Sequence, residues 1–350
     1  MTLGLVLLLF VLLCGGIWLF PAFRFLRKYE QRLAAGPGKP QRTERKIGNV
    51  TVHLYNPSEE ARTTLIVVPG LHPKGIYDSR FIAFAETCAE AGFPVVAPDL
   101  PEFRNFKITN ESVAILRSVM EEMRDPQKTI GMLGISYGAG PVFLMAAERK
   151  LDYVVSIGGY YNLSHAIEYS LSGAHPGGAK RGAHEWGRLI FALNHLDQLA
   201  PAEDLEILRE ILTLRLDLKE KEAEVLERDL NPASRNLMRG ILEGLSADQQ
   251  RAFDEVLRKR EKEALELSPQ RVLSKIDPDT HVYLIHGTSD EAIPYEETLE
   301  LQAGLKEAGL QTHCLITQGL THVDVTKLSS IWELLKLLHW ERLLLRESSR

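Results

Sequence analysis

The chain has 350 residues, 45% hydrophobic and 25% charged, with a formal net charge of −6 at pH 7. This is the composition of an ordinary globular protein long enough to bury a full core, and the acidic balance excludes nucleic acid as an expected partner. Cys14, Cys88 and Cys314 are an odd count with no framework spacing, which reads as three unpaired thiols in a reducing compartment.

The first element is apolar. Residues 3–23 carry no charged side chain, a run long enough at helical rise to cross roughly 30 Å of hydrocarbon. No Lys or Arg precedes it, and Trp18, Phe20 and Phe23 resemble an interfacial belt more than a cleavage region. Residues 1–23 are therefore expected to be an uncleaved, single-pass transmembrane anchor. Arg24, Arg27, Lys28 and Arg32 follow the run, which places the remaining chain on the cytoplasmic side of a membrane. Residues 24–46 hold eight Lys/Arg against two Glu, and the stretch 34–42 (AAGPGKPQR) is rich in Gly and Pro, so this segment is expected to be a basic linker.

From residue 47 the pattern alternates. Strands are expected at 50–55 (VTVHLY), 64–68, 94–97, 130–135 and 153–157, with helices at about 79–91, 111–124 and 137–150 between them. From 164 to 275 strands vanish, and Leu-, Glu-, Arg- and Lys-rich helical segments such as 205–228 and 247–267 take over. Alternation resumes with strands at 281–285 and 312–316 and helices at about 295–308 and 325–345. The expected architecture is α/β: a mostly parallel sheet flanked by helices, built from 47–163 and 276–350, with an all-helical insertion at 164–275 before the last two strands.

Chemistry is concentrated at Gly134-Ile135-Ser136-Tyr137-Gly138. An apolar strand stops at Ser136 and a helix begins at once, so the hydroxyl is expected at a tight, strained turn beyond the sheet, with a helix N-terminus favouring developing negative charge. A nucleophilic serine needs a base, and the base needs a carboxylate to fix its tautomer. HVYLIHGTSDEAIP places Asp290 in the loop after one strand, and HCLITQGLTHVDV places His322 in the loop after the last. Loops at the carboxyl ends of parallel strands converge on one edge, so Ser136, Asp290 and His322 can meet. Asp324 is the competing carboxylate, better suited to starting the last helix.

In this order and at these strand ends, the GISYG elbow, the HGTSDEAIP loop and the GLTHVDV loop resemble the α/β-hydrolase family over residues 50–345, with the helical block where that family often inserts a cap. The resemblance implies a serine hydrolase with a Ser136–His322–Asp290 triad and no cofactor. It also implies an oxyanion hole made by the Tyr137 N–H and a donor after the strand TLIVVPG, here Leu71, with His72 as the alternative. Pro69 stands where the family often has histidine, and the HGGG loop of some esterases is absent. His72 and Tyr160 are expected to line the substrate pocket. His175, His184 and His195 lack metal-ligand spacing, no metal site is expected, and His286 reads as a structural histidine at a strand end.

The expected activity is hydrolysis of carboxylic esters, with a small-molecule or lipid-like ester as substrate. The same triad also serves acyltransferases and peptidases, and a non-catalytic binding protein could keep the fold.

Overall fold

A computed structural model describes residues 3–35, 42–57, 61–176, 178, 185–321 and 330–349, with side chains from residue 15 onward. His322, Asp324 and His184 lie outside these described residues.

The strands are β1 (Thr43–Ile47), β2 (Val50–Tyr55), β3 (Thr63–Val68), β4 (Val95–Pro98), β5 (Thr129–Ile135), β6 (Tyr153–Ile157), β7 (His281–Gly287) and β8 (Thr312–Thr317). They form one sheet in the order β1-β2-β4-β3-β5-β6-β7-β8. From β4 to β8 all neighbours are parallel, while β1–β2 and β2–β4 are antiparallel. The sequence reading had no strand at β1, because TERKI is charged and exposed except for Ile47. It is the edge partner of β2 in a hairpin, where Gly48 takes a positive φ of 57°.

The central strands are apolar on both faces because both faces are covered. Leu65 and Val67 of β3 belong to one core, and Ile66 and Val68 to the other. Helices α1 (Leu3–Ala35), α2 (Ser79–Glu90) and α15 (Ile331–Leu345) contribute to the first core. Helices α4 (Asn110–Met123), α5 (Ala139–Glu148) and α14 (Tyr295–Glu307) contribute to the second, with the short α3 (Pro101–Arg104) beyond β4.

The insertion between β6 and β7 is α6 (Leu163–Ser172), α7 (Glu185–Asn194), α8 (Leu196–Leu199), α9 (Leu205–Leu216), α10 (Glu220–Glu227), α11 (Pro232–Glu243), α12 (Ala247–Lys259) and α13 (Glu261–Glu266). It has its own apolar centre around Leu208, Leu212, Phe191 and Phe253. The helical run expected over 205–228 is broken at Leu218, which has a φ of 60°, and the one over 247–267 breaks at Arg260. A capping box of Ser246 and Gln249 starts α12.

The N-terminal helix corrects the membrane reading. Among the described residues no helix is long and apolar enough to cross a membrane. One face of α1, from Trp18 onward, meets protein. Ala22 is fully buried, and Phe25 and Tyr29 set their rings edge-on to Phe84 of α2 at 6.3 and 6.0 Å. Arg342 Nε of α15 donates to the Trp18 carbonyl at 2.9 Å, and Arg32 pairs with Glu86 at 3.1 Å and Glu90 at 2.5 Å. The helix also continues to Ala35, through residues read as linker. Hydropathy measures only what a segment avoids, and both a bilayer and the flank of a sheet domain meet that demand. The single-pass anchor, the membrane partner and the membrane localisation, with its cytoplasmic orientation, therefore fall together.

Candidate active site

Ser136 closes β5, the strand held between β3 and β6 at the middle of the sheet. Its φ is 54°, the left-handed region that a non-glycine residue enters only when its surroundings force it. Ser136–Gly138 form a 3-10 turn that leads directly into α5. Sterics at the two motif glycines explain the forcing. A Cβ on Gly134 would lie 2.4 Å from Ala139 Cα, and one on Gly138 would lie 2.4 Å from the Pro69 carbonyl oxygen. The turn can therefore press α5 against the end of β5 and against the loop after β3 only if both positions lack side chains. Gly70, to which the sequence reading assigned no role, serves the same packing: a Cβ there would sit 3.2 Å from Ser136 Cβ.

Asp290 lies in the loop after β7 and is 1% exposed. The backbone N–H groups of Ala292 and Ile293 donate to its Oδ1 at 2.8 and 2.9 Å, and the Tyr169 hydroxyl of α6 donates to its carbonyl at 3.2 Å. Its Oδ2 is 3.1 Å from His286 Nε2, which is also 3.0 Å from the Ile293 carbonyl. Facing two acceptors, Nε2 carries the hydrogen. Nδ1 of the same ring meets Thr298 Oγ1 at 2.6 Å. His286 and Thr298 thus fix the carboxylate from behind, a role the sequence reading did not see. The available signal was a histidine following the apolar run 282–285, since a buried imidazole needs hydrogen-bond partners. His286 is fully buried and does not line the cavity into which Ser136 opens. The histidine expected to link Asp290 to Ser136 is His322, outside the described residues.

That cavity has a volume of about 1330 Å³. Leu71, His72 and Tyr137 share its wall with Ser136. One part runs beneath the helical insertion, past Trp186 and Phe191; another runs along the sheet under α1, α2 and α15, past Phe25 and Cys88 to Glu341. His72 accepts the Lys74 N–H on Nδ1 at 3.2 Å and faces Asp78 from Nε2 at 3.6 Å. Burial lowers its pKa, which favours the neutral ring. Tyr160 does not line the cavity. It is fully buried behind Tyr137, with ring centroids 5.8 Å apart, and its hydroxyl donates to the Leu267 carbonyl at 3.1 Å. Burial raises the pKa of both phenols, so both stay protonated.

The sequence reading found no metal-ligand spacing among the histidines of the insertion. In space, His175 Nε2 lies 2.8 Å from Glu297 Oε1, and His165 and Glu300 stand beside the pair.

A mostly parallel eight-stranded sheet covered on both faces, carrying a strained serine at the tip of its central strand, is the α/β-hydrolase fold. The fold is similar to that of an uncomplexed acylaminoacyl peptidase from Pyrococcus horikoshii. The TM-score is 0.51 at 16% identity, covering 89% of this chain and 41% of that one. Shorter stretches resemble two curated proteins. One is the non-reducing polyketide synthase pkbA of Emericella nidulans, 30% identical over 131 residues, 37% of this chain and 5% of that protein. The other is the probable isoprenylcysteine alpha-carbonyl methylesterase ICME of Oryza sativa subsp. japonica, 36% identical over 63 residues, 17% of this chain and 15% of that protein. No protein-family model matches the chain.

Proposed function

We propose that the protein is a serine hydrolase that cleaves carboxylic esters through an acyl-enzyme on Ser136. The observation that carries this reading is the left-handed Ser136 at the end of β5, opening into a large cavity lined mainly by apolar side chains. Strain of this kind persists where the surroundings over-determine it and is concentrated at functional sites.

In the proposed reaction, Ser136 Oγ attacks the acyl carbon while His322 takes its proton, and His322 then delivers that proton to the leaving alcohol. Asp290, held by two N–H groups and by His286, orients His322 and stabilises the imidazolium. The N–H groups of Tyr137 and Leu71 hold the oxyanion. Water resolves the acyl-enzyme by the same steps, and the chemistry calls for no cofactor. Residues 47–163 and 276–350 act as the hydrolase core and 164–275 as a cap over the acyl and alcohol groups. The cavity exceeds the roughly 300–1,000 Å³ of ordinary ligand pockets, which favours a bulky apolar or lipid-like ester as substrate.

The test is labelling by a fluorophosphonate probe, which the wild type should show and Ser136→Ala should lose. Equal labelling of the two would end the serine-hydrolase reading. p-Nitrophenyl esters of increasing chain length, with amide and thioester controls, separate esterase from peptidase and acyltransferase activity.

A further inference from the structure

We propose that His165, His175, Glu297 and Glu300 form a binding site for one Zn²⁺ ion, which ties the first segment of the helical insertion to the body that carries Asp290. The four side chains come from three places. His165 is in the first turn of α6, and His175 lies just past the left-handed Gly173 that ends this helix. Glu297 and Glu300 are one turn apart on α14. Each residue offers one donor atom, and the four atoms lie within 4.8 Å of one another. Two imidazoles, which bind a metal in their deprotonated form, and two carboxylates are a donor set that suits Zn²⁺.

The distances are close to what the ion requires. Bonds of about 2.0–2.1 Å in a tetrahedral site put neighbouring ligand atoms roughly 3.3 Å apart. Here Glu297 Oε1 is 3.6 Å from His165 Nδ1 and 2.8 Å from His175 Nε2. Admitting an ion opens the second spacing by about half an ångström and draws the others, all within 4.8 Å, inward by up to about 1.5 Å. Glu297 is already set for this. Its Oε2 accepts the backbone N–H groups of Tyr161 and Asn162 at 2.8 and 2.7 Å, which turns Oε1 toward the two rings. Fixing a ligand from behind in this way is how metal sites orient their carboxylates.

Hydrogen bonding alone leaves the cluster incomplete. His165 Nδ1 is buried and has no hydrogen-bond partner. Glu297 and Glu300 are like charges three residues apart on one helix, a repulsion that a cation between them removes. The side chains of His175 and Glu297 are fully buried, so the ion would be largely shielded from water.

The location gives the site a consequence. Thr298, next to Glu297, meets His286 Nδ1 at 2.6 Å, and His286 Nε2 meets Asp290 Oδ2 at 3.1 Å. An ion on Glu297 stiffens the start of α14 and, through Thr298 and His286, the loop holding Asp290. The four ligands are positioning residues with respect to any reaction at Ser136.

The experiment uses the full chain. It is freed of metal with a chelator and titrated with Zn²⁺ by calorimetry, then with Co²⁺, whose absorption bands report tetrahedral coordination. The expected result is one equivalent bound, a rise in Tm with Zn²⁺, and loss of both in the His165→Ala/His175→Ala double variant. Glu300→Gln, a near-isosteric change in a partly exposed residue, should bind at least tenfold more weakly and fold regardless. Absence of stoichiometric binding by the wild type, or equal affinity in wild type and Glu300→Gln, overturns the site. Neither readout depends on ester turnover, so the site and the proposed activity fail independently.

Discussion

Replacing Glu341 with methionine should stabilise the protein at neutral pH. Glu341 of α15 lines the cavity, is 5% exposed, and neither carboxylate oxygen has a hydrogen-bond partner. Burial raises its pKa well above the ordinary 4.5, so the folded protein holds it as the neutral acid. The unfolded chain ionises at the ordinary value. Between those two pKa values the folded state binds the extra proton, and the stability associated with this residue is present at low pH and lost as pH rises above about 4.5. Burying a polar group without a partner costs about 1–3 kcal/mol in mutational series, and methionine fills a similar length without that cost. With unfolding entropies near 2.1 cal/mol/K per residue, this corresponds to a Tm about 1–4 °C higher for a chain of this size. Calorimetry at several pH values between 5 and 8 measures it, and the advantage of Glu341→Met should widen as pH rises. A variant that melts at or below the wild type at pH 8, or whose difference does not change with pH, would refute the reasoning.

Gly138→Ala should damage both folding and labelling. The added Cβ would stand 2.4 Å from the Pro69 carbonyl oxygen and 2.9 Å from that of Val68, so backbone must move, at about 1–3 kcal/mol. A displacement of that kind beside Ser136 should slow fluorophosphonate labelling by roughly 10²-fold, whereas unchanged labelling would remove the turn from the mechanism. Asp290→Asn turns an amide N–H₂ either toward the Ala292 and Ile293 N–H groups or toward the hydrogen on His286 Nε2, so it should lower Tm as well as kcat, the latter by about 10⁴-fold, the effect expected where a carboxylate fixes the tautomer of a catalytic histidine; near-wild-type turnover would exclude that role. His53 of β2 is fully buried, both ring nitrogens lack hydrogen-bond partners, and burial lowers its pKa to about 4. The folded ring stays neutral while the unfolded one takes a proton below about 6.5, so stability is lost as pH falls from 6.5 through 4. His53→Phe should flatten the Tm profile in that window, and an unaltered slope would assign the acid loss elsewhere.

The alternation from β2 to β8 was legible because most strands are short, apolar and bounded by turn residues, and helices such as α2 and α4 have one apolar stripe. The elbow was legible for the same reason: strand and helix patterns meet at one residue, and the glycines two positions either side declare how closely backbones approach. The position of Asp290 in the loop after β7 followed from the strand pattern. The groups that support it did not. Thr298 and Glu297 sit in an amphipathic helix where nothing in the local pattern marks them as buried. Glu297 meets His175 across 122 residues of sequence and an intervening insertion, so periodicity carries no trace of the pair. Hydropathy marked the start of α1 as apolar and was silent on what the helix packs against.

The placement of α1 also changes where selectivity resides. From sequence, selectivity belongs to the insertion at 164–275, the part without a motif. In the folded chain Phe25, Leu26 and Tyr29 of α1 line the same cavity as Ser136, opposite Leu337 and Glu341 of α15. A substrate bound at Ser136 therefore has two regions to fill: one under the insertion, bounded by Trp186 and Phe191, and one along the sheet, bounded by the N-terminal helix. An ester has two arms, acyl and alkoxy, which diverge from the carbon that Ser136 would attack. Differential contact with each arm, not total cavity size, determines which ester reacts faster, because discrimination arises from differences in transition-state binding. Through Phe25, Leu26 and Tyr29, which the sequence places in the basic linker rather than in the apolar run, the N-terminal helix is thus a wall of the candidate site, and substitutions at these residues should alter chain-length preference on one arm while those at Trp186 and Phe191 alter it on the other.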